Sequence, residues 1–244
     1  MQEMNDNRAL LEGVLEELGL EAGAREKGQL LQFTGLLLEG LKKQRLVGEK
    51  TAAEIIGKHF YDSLVPASFS LLHSGAVLDL GTGAGFPGLP LKIISPGTPF
   101  FLLEANGRKI NFLKNVVAEL GLAEVFLLHG RAEKIGQQEE YRERFGTVLS
   151  RAVAHTSVLL ELSLPLAALG GRLVFFKGPR AYEELERSRR ALELCGGRFK
   201  ESREYCLPSG EKRVLLIFEK VASTPPQYPR RDGVPLKRPL DRLE

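Results

Sequence analysis

Cysteine is scarce in this chain of 244 residues: Cys195 and Cys206 are too few and too isolated for a disulfide framework or a structural zinc site. Long apolar runs are missing too, with no stretch near the roughly 20 residues of a membrane span. The opening MQEMNDNRALLEG has neither the basic start nor the apolar run of a secretory signal. No internal repeat or low-complexity tract is present, so a reduced, cytoplasmic, globular protein is expected. Net charge is small at +3, but from Lys177 onward sixteen Lys and Arg face eleven Asp and Glu, which leaves the rest slightly acidic. A basic end of this kind suits nucleic-acid contact without requiring it.

What the chain does hold is a change of texture. Residues 6–64 carry helical spacing: Leu10, Leu11, Val14, Leu15 and Leu18 share one face, a second helix runs from about Lys27 to Leu41, and Thr51 is placed to cap a third. From residue 75, short β-rich runs alternate with helical segments. AVLDL (76–80), FFLL (100–103), VFLL (125–128), TVLS (147–150), RLVFF (172–176) and RVLLIF (213–218) predict strands buried on both faces. The intervening helices include one spanning 155–169 and one spanning 182–195. A strand near ESREYCL would pair antiparallel with the last. The expected fold is α/β and Rossmann-like, a mostly parallel seven-stranded sheet with an N-terminal helical extension. Residues 1–68 would form the extension, 69–222 the sheet domain, and 223–244, with five prolines in 22 residues, an extended basic arm.

The segment LDLGTGAGFPGLPLKI (78–93) carries the chemistry. In a doubly wound sheet the loop after the first strand takes the ligand, and Gly81, Gly83 and Gly85 let it lie against bare backbone. The dinucleotide fingerprint fails, because its third glycine would fall at Phe86. Asp79 before the loop disfavours a pyrophosphate and suits a cationic ligand. S-adenosylmethionine (SAM) has an ammonium, a sulfonium and no phosphate. Its ribose diol needs an acid at the end of the second strand, where Glu104 stands; Ala132 and Glu133, after the third, suit the adenine edge. These residues predict a class I SAM-dependent methyltransferase.

The acceptor is narrowed by elimination. SRAVAH (150–155) lacks the proline pair of exocyclic-amine methylases, and neither cysteine is near enough to serve as a carbon-5 nucleophile. A ring nitrogen with a free lone pair, such as guanine N7, needs neither device. The same segments, with EANGRKINFLKNVVAELGL, GGRLVFFKG, KHFYDSL and YPRRDGVPLKRPL, resemble the RsmG (glucose-inhibited division protein B) family. The resemblance departs at Leu41-Lys42, where the family has Trp-Asn, and at Glu104-Ala105, where it has Asp-Ser.

That resemblance implies SAM-dependent methylation of guanine N7 in 16S ribosomal RNA, free or in the small subunit. The alternatives are a SAM-dependent methyltransferase of a small molecule or protein and a non-catalytic SAM- or RNA-binding module, and a monomer is the default expectation. The resemblance implies cofactor contacts from Gly81, Phe86, Glu104, Ala132, Glu133 and Arg151, with Asp79, Gly83, Gly85, Ala105 and Asn106 completing the site. Arg151 and Lys177, after strands four and five, would face the reacting atoms. Lys177, Arg230, Arg231, Lys237 and Arg238 would contact RNA phosphates. His59 and Asp62, three apart on one helical face, suit a helix-to-domain hydrogen bond, and His129 and His155 suit structural roles.

Overall fold

The computed structural model describes residues 2–151 and 153–241. Two helices, α1 (Gln2–Glu17) and α2 (Ala24–Leu41), precede a compound helix. This begins as α3 (Ala52–Glu54), widens into a π-helical stretch over Ile55–Phe60 and continues as α4 (Tyr61–Ser68). Thr51 starts it with a capping box: its hydroxyl accepts the Glu54 N–H, and the Glu54 carboxylate accepts the Thr51 N–H. His59 lies in the π-helical turn, a wider geometry that often marks functional positions.

Among the described residues, seven strands and seven further helices follow. They are β1 (Val77–Leu80), α5 (Gly88–Ile94), β2 (Phe100–Glu104), α6 (Gly107–Glu119), β3 (Val125–His129), α7 (Ala132–Ile135) and β4 (Phe145–Arg151). Then come α8 (Thr156–Ser163), β5 (Ala167–Lys177), α9 (Ala181–Arg187), α10 (Arg189–Cys195), β6 (Gly197–Cys206), β7 (Lys212–Lys220) and α11 (Val234–Lys237). They form one sheet in the order β3-β2-β1-β4-β5-β7-β6. The first five strands are parallel, and β7 is antiparallel to both β5 and β6. Strand order reverses between β1 and β4, so a crevice opens beyond their C-terminal ends. No described helix is long and apolar enough to cross a membrane.

Strand residues alternate between two cores, as period-2 geometry requires. Val77, Phe100, Leu102, Leu149 and Val174 pack with the N-terminal helices, α5 and α6. Leu78, Leu103, Val148, Leu173 and Phe175 pack with α8 and α10 on the opposite face. Burial on both faces fits four of the expected parallel strands but not β3, which forms the sheet edge. There Phe126 is exposed and stacks on Phe101 at 4.6 Å.

Three further expectations change. The helix expected over 155–169 stops at Ser163, Pro165 interrupts it, and Ala167 already pairs with Phe145 in β4. The helix expected over 182–195 divides at Ser188, whose hydroxyl donates to the Leu185 carbonyl instead of leaving the backbone to continue unbroken. The C-terminal segment lies against the domain rather than extending from it. Arg142 donates to the carbonyls of Thr224 at 2.8 Å, Pro225 at 3.1 Å and Tyr228 at 2.9 Å. Residues 242–244 of the expected arm lie outside the described residues.

Candidate active site

At the crevice, β1 turns into the glycine loop. Gly81 has φ +74°, and a Cβ there would lie 2.6 Å from Val153 Cγ2, so the close approach of the two loops requires glycine. Glu104, ending β2, spans from this loop to the next: Oε2 accepts the Gly83 N–H at 3.0 Å and Oε1 the Asn106 N–H at 2.8 Å. The Asn106 side chain is itself committed, accepting the N–H groups of Arg108 and Lys109 as the cap of α6.

Asp79 lies beneath the loop instead of in its mouth. It is fully buried, its Oδ2 accepts the Gly88 N–H at 2.8 Å, and burial pushes its carboxyl up to about 6. A Cβ on Gly88 would sit 2.8 Å from that same oxygen. Asp79 therefore braces the turn into α5, and its attraction for a cationic ligand acts at most through the loop.

A cavity of 280 Å³ opens between the loops, lined by Gly81, Glu104, Ala105, Ala132 and Glu133, with apolar walls from Leu103 and Leu162. Glu133 is buried. Burial opposes its charge, but the Gly233 N–H at 2.9 Å and Arg131 Nη2 at 3.0 Å, both on Oε1, hold its carboxyl below the usual range. The donor set fits SAM: an acid for a ribose diol, an ionised acid for an amine edge, and apolar faces for a flat ring.

Arg151 does not line this cavity. It borders a second one of 400 Å³, with His59, Asp62, Lys177, Glu184 and Arg213. Ala154 lines both. Arg151 Nη1 donates to Asp62 Oδ2 at 3.0 Å and Nη2 to His59 Nδ1 at 2.9 Å. Its guanidinium lies 5.0 Å from the centroid of Phe86, on which His59 also stacks at 4.8 Å. Phe86 thus supports the second cavity, and the expected helix-to-domain contact of His59 and Asp62 is made to Arg151. Asp62 Oδ1 accepts from the Tyr205 hydroxyl, so both carboxylate oxygens are occupied. Because an arginine can only donate, His59 Nδ1 must be the acceptor; its Nε2–H then points to Glu49 Oε2 at 2.6 Å. Burial, followed by the Arg151 charge, holds this imidazole below its ordinary value.

Lys177 is buried rather than presented to phosphate. Its Nζ donates to the Ala154 carbonyl and to Glu184 Oε2, each at 2.8 Å. Glu184 Oε2 also accepts the Thr156 N–H at 2.9 Å and the Thr156 hydroxyl at 2.8 Å. Lys177 therefore fixes the strip of chain that separates the two cavities. Arg230 is likewise committed: Nε and Nη2 reach Glu161 at 2.8 and 2.6 Å, and Glu161 is completely buried. Arg231, Lys237 and Arg238 are exposed. Tyr205, Glu184, Pro235 and Leu236 were not singled out from sequence; Glu184 meets Lys177 from the neighbouring helix, and the other three reach a cavity or its lining through folding of distant segments.

The strand order, the glycine loop and the acid closing β2 define the fold of a class I SAM-dependent methyltransferase. A structure of M. jannaschii TYW2 in complex with AdoMet matches with a TM-score of 0.53 at 14% identity, over 74% of this chain and 80% of that one. A SAM-dependent methyltransferase from Aquifex aeolicus matches at 0.52 and 18% identity, over 76% of this chain and 97% of that one. At sequence level, the family model GidB, rRNA small subunit methyltransferase G, matches residues 26–209. A ribosomal RNA small subunit methyltransferase G of Alkaliphilus metalliredigens is 39% identical over 237 residues, 96% of this chain and 99% of that protein. One from Lactobacillus delbrueckii subsp. bulgaricus is 47% identical over 191 residues, covering 77% and 80%. The chain belongs to the rRNA small subunit methyltransferase G family.

Proposed function

We propose that this protein methylates guanine N7 of small-subunit 16S ribosomal RNA with SAM as donor. One observation carries the reading beyond family membership: the cavity with Glu104 and Glu133 and the cavity with Arg151 share Ala154 as a common wall. Two adjoining cavities at the end of β4, the second lined by charged side chains, support a cofactor in the first and a target base in the second. Gly81, Glu104, Ala105, Ala132 and Glu133 would hold the cofactor, which when bound supplies a methyl group on a sulfonium.

The chain's own residues then have an undemanding task. Guanine N7 offers a lone pair with no proton on it, so no base is required and positioning can carry the rate. Arg151 cannot act as a base, and its two hydrogen bonds and its stacking on Phe86 fix its charge in one place. His59, neutral with Nδ1 already accepting, is equally unsuited to remove a proton. The arrangement orients an acceptor. Lys177, through Ala154 and Glu184, holds the partition that aligns the two sites. Exposed Arg231, Lys237 and Arg238 supply phosphate contacts from the surface.

The test is transfer from labelled SAM to small ribosomal subunits taken from a strain lacking the enzyme, followed by nucleoside mass spectrometry. The expected product is 7-methylguanosine. Label in N6-methyladenosine or 5-methylcytidine would overturn the choice of acceptor, and label in protein alone would overturn the substrate class.

A further inference from the structure

The C-terminal segment is 100 residues from Glu133 in sequence, yet it reaches the first cavity. Three attachments bring it there. Arg142 gathers the carbonyls of Thr224, Pro225 and Tyr228; buried Glu161 holds Arg230 by two side-chain hydrogen bonds; and the Gly233 N–H donates to Glu133 Oε1. Gly233 has φ +73°, a left-handed turn that redirects the chain into α11. Pro235 and Leu236 thereby enter the cavity wall.

The two side chains differ in a telling way. Pro235 is buried, whereas Leu236 is 65% exposed, although the attachments around it fix its place at the cavity. The same cavity is lined by Leu103, Val158 and Leu162 and by Glu133, whose carboxylate accepts the Gly233 N–H. An apolar lining that includes one carboxylate acceptor suits an adenine ring, which has apolar faces and a donor on its rim. Glu104, the acid suited to a ribose diol, belongs to the same cavity and marks which end of it would take the adenosine.

We infer that Pro235 and Leu236 are cofactor-binding residues: the C-terminal segment supplies part of the wall of the adenine site, fastened in place through Gly233 and Glu133. The inference rests on the proposal that this cavity takes SAM. The segment thus has two surfaces, the apolar Leu236 facing the cofactor and basic side chains facing outward.

The experiment is calorimetric titration of wild type, Leu236→Ser and Leu236→Met with two probes, S-adenosylhomocysteine and 5′-methylthioadenosine. The second keeps the adenosine and lacks the amino-acid end. Leu236→Ser should weaken both probes by a similar factor, about tenfold for an apolar contact of this size. Leu236→Met should restore most of the affinity. Leu236 is mainly exposed, so its replacement should leave the fold intact, and matching melting curves for the three proteins verify this. Wild-type affinity in Leu236→Ser overturns the inference. So does a loss for S-adenosylhomocysteine with none for methylthioadenosine, which would put Leu236 at the amino-acid end. If wild type binds neither probe, the cavity is not a SAM site and the proposed function fails with the inference, a result distinct from the other two.

Discussion

Arg151 Nη2 donates to His59 Nδ1 at 2.9 Å, joining the end of β4 to the N-terminal helices across 92 residues of sequence. The bond exists only while His59 is neutral, since a protonated imidazole would turn an N–H toward the guanidinium. Burial and Arg151 hold its pKa below the ordinary 6.5, so in the unfolded chain this histidine takes up its proton first. Its contribution to stability is therefore complete above about 6.5 and is lost as pH falls through the lower folded value. Asp79, raised by burial to about 6, acts in the opposite sense below that pH, because its folded form binds the proton more readily. Urea denaturation across pH 5–8 should show a downward contribution in wild type that His59→Asn lacks. Identical pH profiles for the two proteins would mean that the imidazole is not held neutral.

Glu104→Ala removes the acid proposed for the ribose diol. Loss of a charged hydrogen-bond partner is worth roughly 1.5–3 kcal/mol, or about 10- to 150-fold in cofactor affinity. The Gly83 and Asn106 N–H groups also lose their acceptor, so a small fall in melting temperature should accompany it. Calorimetric titration with SAM measures the first effect, and unchanged affinity in a folded variant would remove Glu104 from the cofactor site.

The parts of this picture that were readable in sequence are those set by local pattern. Short apolar runs gave β1, β2, β3, β4, β5 and β7, the glycine loop gave the cofactor end, and Thr51 gave a helix start. Ala167 to Leu169 was not readable as a strand, because a continuous apolar run has the same composition in a buried helix and in a buried strand. Only its pairing with β4 decides the matter, together with Pro165. The charged residues were harder still. Lys177, Arg151 and Arg230 looked like groups awaiting a ligand, but each meets a carboxylate from another element: Glu184, Asp62 and Glu161. Such partners depend on the assembled topology, and neither hydropathy nor spacing along the chain encodes them.

Lys177→Met tests whether this lysine holds the partition or grips RNA. Its side chain is 7% exposed and that of Glu184 17%, so the substitution leaves a mostly buried carboxylate without its cation. Breaking such a pair costs about 3 kcal/mol or more. The Ala154 strip should loosen, lowering methyl transfer by more than it lowers cofactor affinity. The dependence of RNA binding on salt should not change. If the variant were as stable as wild type while the slope of log affinity against log salt fell by about 0.7–0.9, Lys177 would be a phosphate contact after all.

The basic residues of the C-terminal segment should separate into two kinds. Arg230→Ala leaves Glu161 completely buried without its guanidinium partner, and a loss of about 3–5 kcal/mol in unfolding free energy is expected. Arg231→Ala, Lys237→Ala and Arg238→Ala remove exposed charges and should each stay within about 0.5 kcal/mol. In RNA binding the ranking reverses. The triple variant should keep SAM affinity while its salt slope falls by about 0.9 per lost contact on duplex, or about 0.7 on single strands. Arg230 sits behind the surface, and its loss should change the slope only as far as the segment detaches. Urea titration and an RNA salt series on the single and triple variants measure both effects. A triple variant whose salt series overlays that of wild type would reassign the phosphate contacts to another face, and an Arg230→Ala protein of full stability would mean that Glu161 does not depend on this ion pair.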